Sequence, residues 1–209
     1  MMDKEFESIL EKVSALYRKY GIKSVTMDDV AHELGISKKT IYQFVNDKTE
    51  LVEKVVEHIR LCNFSDMKEI DEVRGNAIEE LIEVSRHVNV LMQNHSPSYE
   101  YDLKKYYPDI YQKLMSARRK LMYESMLANI RQGKKEGVYR DELNEETIAK
   151  LHLLRVENLR TSELFEEGEV HTPKFFRELL VYHIHGIATL KGLEVLDQNM
   201  AKLDQLETH

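Results

Sequence analysis

The chain has 209 residues, a formal charge of −7, 42% hydrophobic residues and a single cysteine, Cys62. That length allows one domain or two modest ones with a packed core. The lone cysteine excludes an internal disulfide framework, and the negative charge argues against a protein that coats polyanions without selectivity. Three Pro and eight Gly, in a background rich in Glu, Lys, Leu, Met and Ala, favour helix. No stretch alternates β-branched residues with period two, so an all-α fold is expected.

Phe6, Ile9, Leu10, Val13, Leu16 and Tyr20 recur at helical spacing and predict a first amphipathic helix, closed by Gly21 as a C-terminal cap. Thr26-Met27-Asp28-Asp29 reads as a capping box for a second helix, which carries Val30, Ala31 and Leu34 and stops at Gly35. Ser37 can cap a third helix bearing Ile41 and Phe44. Asp47-Lys48-Thr49-Glu50 resembles a second capping box, opening a helix through Leu51, Val52, Val55, Val56 and Ile59. The pattern weakens and charge rises over Ser65 to Gly75, which reads as a junction.

Ala77 to Gln93 is helical again, and His95-Ser96-Pro97-Ser98 breaks it. A short tyrosine-rich segment follows, and Pro108 suits the first position of a long helix to about Gln132. Gly133 to Arg140 reads as a connection. Another helix is predicted from Glu145 to about Leu164, then an acidic loop. Thr172-Pro173 opens a last long helix to about Asp197, with a frayed tail beyond it.

The stretch from Asp29 to Leu51 has the residues a helix-turn-helix needs. Two short helices that cross closely need a small residue on the first, and Ala31 is small. The turn needs a residue tolerant of positive φ, and Gly35 supplies it. Leu34, Ile36 and Ile41 would join the two helices. Lys38, Lys39, Thr40, Tyr42 and Gln43 would then face outward. Residues 1–57 hold nine Lys/Arg against eleven Asp/Glu, so a DNA surface here must come from arrangement, with acids turned away from the phosphates.

Thr26-Met27-Asp28-Asp29-Val30-Ala31, then Gly35-Ile36-Ser37-Lys38-Lys39-Thr40-Ile41-Tyr42, then Lys48 and Leu51, resembles the DNA-binding domain of the TetR family of regulators. The resemblance covers about a quarter of the chain. It implies an architecture of nine helices and assigns phosphate contacts to Thr26, Thr40, Tyr42 and Lys48. Lys38, Lys39 and Gln43 are placed to reach base edges, with Lys favouring guanine and Gln favouring adenine. Phe44 and Val45 stand where the family has His and Phe, and are expected to fill the same core volume. Lys39 replaces a frequent Gly and adds a cation at the groove.

Other constellations are plain. His183 and His185, at i and i+2, do not share a helix face, and His87, His95 and His152 lack ligand spacing, so no metal is expected. No phosphate loop or nucleophile motif appears, and no cofactor or enzymatic activity is expected. Tyrosines and methionines gather mid-chain. Core packing is one reading; the other is a pocket for a small apolar or aromatic effector, with Met92, Tyr99, Tyr111, Met115, Arg118, Met122 and Tyr123 as candidates. The final helix is apolar on more than one face, which predicts a second apolar contact. Gly186 and Gly192 suit close helix approach. The resemblance implies an intersubunit four-helix bundle there, with Leu179, Tyr182, Gly186 and Leu190 as candidate interface residues of a two-fold homodimer.

The expected organisation is a helix-turn-helix DNA-binding domain over 1–60 and a larger helical effector-binding and dimerisation domain over 61–209. The expected function is a ligand-responsive repressor on double-stranded DNA, its two N-terminal domains in successive major grooves of a near-palindromic operator, about 34–36 Å apart. A helical protein-binding adaptor and a small helical enzyme are the alternatives. No convergent catalytic groups can be assembled for the enzyme. Met1-Met2-Asp3-Lys4-Glu5 has no apolar leader, and the apolar segment Glu178 to Leu196 is interrupted by His183, His185, Lys191 and Glu194. A cytoplasmic protein is therefore expected, with no membrane contact.

Overall fold

A computed structural model describes residues 4–71, 75–93, 96–159, 164–166 and 168–204. Its helices are α1 (Lys4–Tyr20), α2 (Met27–Leu34), α3 (Lys38–Ile41), α4 (Lys48–Asp71), α5 (Ala77–Gln93), α6 (Pro97–Tyr106), α7 (Pro108–Lys135), α8 (Glu145–Leu159), α9 (Pro173–Ile187) and α10 (Leu190–Asp204). A 3₁₀ turn precedes α9 at Glu169–His171. The protein is all-α: among the described residues there is no strand, and the one extended pairing is a bridge between Tyr139 and Ala188. No described helix is long and apolar enough to cross a membrane.

The chain forms two compact units. One is Met1–Asp66 with His95–Ala117; the other is Met67–Asn94 with Arg118–His209. The first unit is built on a core of Leu10, Val13, Tyr17, Ile22, Val30, Ile41, Leu51, Val52 and Val55, each almost wholly buried, to which α6 contributes Leu103 and α7 Ile110. The tyrosine-rich segment forms the helix α6. Ser96 caps it, accepting the Tyr99 amide, and Pro97 occupies its first turn.

In the second unit Ile78, Ile82, Ile130, Tyr139, Ile184 and Leu196 form the core. Tyr139 carries a polar group into it, and burial pushes its phenol pKa up. The hydroxyl donates to Asn129 Oδ1 at 3.0 Å, while Asn129 Nδ2 donates to the Ala77 carbonyl at 2.8 Å, so the buried groups satisfy one another. A Cβ at Gly133, inside α7, would overlap the Tyr139 ring. Gly133 therefore does not end the helix, which runs on to Lys135.

The expected last helix is two helices. Ala188 is extended (φ −76°, ψ 153°), because the backbone there pairs with the segment after α7: Arg140 N–H donates to Ile187 O at 2.9 Å and Thr189 N–H to Val138 O at 3.0 Å. Thr189 Oγ1 donates to Gly137 O and accepts the Gly192 amide. Gly192 allows α10 to cross the Val138 carbonyl, which a Cβ would overlap. α10 then continues past the expected end, to Asp204. The tyrosine-rich helix and this split bring the described α-helices to ten, one more than the family resemblance implies.

His152 of α8 and His183 of α9 lie with ring centroids 5.0 Å apart. Burial depresses both. His152, also opposed by His183 and Arg155, falls from 6.5 to about 3; His183, also opposed by Arg155, falls to about 4. Both folded pKa values lie below the unfolded one, so protons favour the unfolded chain. The stability of the neutral pair is complete above pH 6.5 and is lost as pH falls from there towards 4. At pH 5 the loss should be about 2 kcal/mol per histidine. Denaturant midpoints at pH 7 and pH 5, for wild type and for His152→Gln with His183→Gln, check this: the double variant should lose distinctly less stability on acidification, and an equal loss would refute it.

Candidate nucleic-acid interface

α2 starts in a reciprocal cap. Asp29 N–H donates to Thr26 Oγ1 at 3.2 Å, and Asp29 Oδ2 accepts the Thr26 amide at 2.8 Å and its hydroxyl at 2.6 Å. These hydrogen bonds hold the Asp29 carboxyl below its usual range. α2 ends at Gly35 in the left-handed region (φ 67°), where the Gly35 amide meets His32 O and the Ile36 amide meets Ala31 O. Ser37 then caps α3 by accepting the Thr40 amide at 3.0 Å.

α3 is only four residues long; Tyr42 to Phe44 continue it as a turn rather than as helix. Ile41 is fully buried and Val45 nearly so, while Phe44 stacks on Phe6 with ring centroids 4.8 Å apart and planes 8° from parallel. Phe44 and Val45 therefore pack inward and fix the turn. Lys39, Tyr42 and Gln43 are left exposed.

The remaining cations and hydroxyls have local partners. Lys38 Nζ pairs with Asp28 Oδ2 at 2.9 Å, both exposed, a pair that an incoming phosphate can displace because solvent screens it. The Thr40 hydroxyl shares a hydrogen bond with Ser37 Oγ at 2.8 Å. Thr26 commits both its amide and its hydroxyl to Asp29, so a contact to DNA through either would require the cap to open. Lys48, half-buried at the start of α4, donates to the Lys23 carbonyl at 3.4 Å. Burial lowers its pKa, and Asp102 and Asp29 oppose that shift.

The acids here are mostly engaged in capping. Asp47 Oδ1 accepts the Glu50 amide at 2.8 Å, and Glu50 accepts the Asn46 amide rather than that of Asp47. The second cap is therefore not the reciprocal box the sequence suggests: the carboxylate reaches back one residue further. Lys23 is absent from the sequence-based site. It lies in the turn after α1, outside any motif, and only its place beside Lys48 reveals it.

Residues 9–55 match the family model of bacterial regulatory proteins, tetR family. Over these residues the chain is similar to the N-terminal domain of the TetR family. No curated protein matches it. Among solved structures it is similar to a transcriptional regulator from Cytophaga hutchinsonii, with TM-score 0.76, 18% identity and coverage of 90% of this chain and 100% of that one. It is also similar to the TetR-family protein CprB from S. coelicolor, with TM-score 0.65, 13% identity and coverage of 97% and 99%. A transcriptional regulator from Saccharomonospora viridis in complex with choline gives TM-score 0.60, 19% identity and coverage of 90% and 100%. These structures share the fold of the chain.

The other candidate residues are distributed as follows. Tyr99, Tyr111 and Met115 lie in the first unit, Arg118, Met122 and Tyr123 in the second. The Met92 side chain is outside those described. Tyr99 and Tyr111 pack against the first core and Tyr123 against the second; burial pushes the Tyr99 phenol up to about 12. On α9 and α10, Tyr182 is 76% and Leu190 82% exposed, Gly186 is exposed, and Leu179 is half-buried. Leu151 and Leu154 of α8 are also more than half exposed, which the sequence pattern did not single out. Among the described residues no three His, Cys, Asp or Glu side chains converge on a metal site.

Exposed Lys39 and tethered Lys48 should behave differently on DNA. Lys48→Ala should weaken every duplex similarly and lower the salt slope by about one. Lys39→Ala should cost about 1–3 kcal/mol on a selected duplex and much less on a scrambled one. Titrations of both variants against both duplexes over a range of salt check this; equal losses for Lys39→Ala on the two duplexes would reassign it to the phosphates.

Proposed function

We propose that the chain is a repressor that binds a near-palindromic operator as a homodimer and releases it when a small apolar or aromatic effector binds. The observation that carries the DNA reading is the outer face of α3, where Lys39, Tyr42 and Gln43 are exposed while Ile41, Phe44 and Val45 hold the helix to the core. A polar face of that size suits the major groove. A protein seated on successive grooves would exclude other proteins from the site, which is the simplest route to repression. Its place of action is then the cytoplasm, where the DNA is.

The homodimer reading is supported by the exposed apolar side chains of the second unit. Leu151, Leu154, Tyr182 and Leu190 lie on α8, α9 and α10, and apolar groups so exposed favour removal from water. A second copy supplies the same groups in a self-complementary interface. The effector reading is supported by the likeness to the Saccharomonospora viridis regulator, described with choline, and by the tyrosines and methionines of α6 and α7. An effector would act by binding the DNA-free state more tightly than the DNA-bound state.

Selection of bound duplexes from a random pool should recover a sequence with two related half-sites, and sedimentation should give twice the chain mass. Leu190→Glu should shift the protein towards monomer and weaken the selected duplex more than Lys48→Ala does. Wild type that stays monomeric at micromolar concentration, or that selects a single unrepeated half-site, would overturn the dimeric reading.

A further inference from the structure

α6 presents one carboxylate to the turn that joins α1 to α2, within the first unit. Asp102 Oδ2 accepts the backbone N–H of Lys23 at 2.8 Å. Gly21, two residues earlier, has φ +81°, and a Cβ there would stand 2.9 Å from the same oxygen. Glycine is thus required twice, by the left-handed backbone and by the approach of the carboxylate. Lys23 passes the contact on: its carbonyl accepts Lys48 Nζ at 3.4 Å. Its own ammonium lies 4.0 Å from the centroid of the Tyr106 ring, four residues after Asp102 on α6. A separate tie joins the start of α6 to the end of α1, where Ser96 Oγ donates to the Arg18 carbonyl at 2.8 Å.

These contacts do two opposed things. The negative charge of Asp102, close to Lys48, repels a phosphate. Its hydrogen bond fixes the Lys23 peptide, and with it the carbonyl that restrains the long Lys48 side chain. A restrained lysine loses less rotamer freedom on meeting DNA. The hydrogen bond is to a charged acceptor, and such bonds are the stronger kind.

We propose that Asp102 is a positioning residue for DNA binding: by holding the Lys23 peptide it sets where the Lys23 and Lys48 ammonium groups stand before DNA arrives. This rests on the DNA-binding reading of α2 to α4. Asp102 acts as a hydrogen-bond acceptor, and its charge works against the role. Replacing the charge while keeping the acceptor therefore has a different effect from removing both.

Asp102→Asn keeps a carbonyl oxygen for the Lys23 amide and loses the charge; Asp102→Ala loses both. The full-length proteins are compared on a duplex selected by wild type from a random pool and on a scrambled duplex. Hydrogen exchange at the Lys23 amide is followed without DNA. Asp102→Ala should speed that exchange and weaken the selected duplex, each by about tenfold, the loss expected for one hydrogen bond to a charged group. Asp102→Asn should keep the protection and bind both duplexes at least as tightly as wild type.

The proposal is overturned if Asp102→Ala changes neither exchange nor binding, or if Asp102→Asn weakens binding as much as Asp102→Ala. Unchanged protection of the α1 amides shows that the fold persists. If Asp102→Ala loses it, Gly21→Ala crowds the same carboxylate with Asp102 in place, and the same two results decide. Wild type that prefers no duplex refutes the DNA reading itself; wild type that selects a duplex and is matched by Asp102→Ala refutes only the role of Asp102.

Discussion

The helix-turn-helix depends on a helix too short to hold itself. An isolated helix needs a dozen or more residues before propagation outweighs nucleation, and α3 has four. Its geometry is therefore set from outside: by Ile41 at zero exposure, by Phe44 stacked on Phe6, and by the Ser37 cap. Gly35 makes the approach possible by taking a left-handed conformation that places α3 across α2. The outward residues have no freedom to choose a face. Lys39, Tyr42 and Gln43 point to solvent because Ile41 and Val45 cannot.

Helices α1, α2, α4 and α5 were legible because each repeats apolar residues at helical spacing, and α2 carries a cap and a stop in its own sequence. What was not legible depends on partners distant in the chain. After Pro173 the stretch to Asp197 has no further proline, and its apolar pattern continues, yet the helix breaks at Ala188 because residues 138–140 pair with 187–189. Gly133 looked like a terminator and is a clearance for the Tyr139 ring. The tyrosine-rich segment is assigned no element from the sequence, although Ser96 and Pro97 are sound helix-start residues. Of the candidate site, the exposure of Lys39, Tyr42 and Gln43 followed from the motif, whereas Lys23 and Asp102 carry no local mark. They are 79 residues apart, and no spacing rule joins them.

The two units use buried polar groups differently. In the second, Tyr139, Asn129 and the Ala77 carbonyl form a closed set, so their burial costs little beyond the loss of water. His152 and His183 are not closed in this way. Arg155 donates to His152 Nδ1 at 3.1 Å, but His183 Nε2 and Arg155 Nε have no partner among the described residues. A cation and two neutral imidazoles are thus held together without a facing carboxylate among the described residues. That arrangement is favoured while the imidazoles stay neutral, which makes the α8–α9 contact sensitive to acid.

A protein of charge −7 can meet a polyanion only if its acids near the contact serve another purpose. Asp29 takes the Thr26 amide and Asp47 the Glu50 amide at helix starts, Glu50 takes the Asn46 amide, and Asp28 holds Lys38. The helix starts whose amides they occupy are also the places where an anion would otherwise bind. The caps therefore give order at the expense of local positive potential, and the cations must restore it. Lys39 is exposed with no partner among the described residues; Lys38 needs only to exchange one exposed carboxylate for a phosphate; Lys48 is already held at the Lys23 carbonyl. Affinity in such a site comes from the positions of a few lysines rather than from their number. A single acceptor that fixes one peptide can then matter more than the charge it carries.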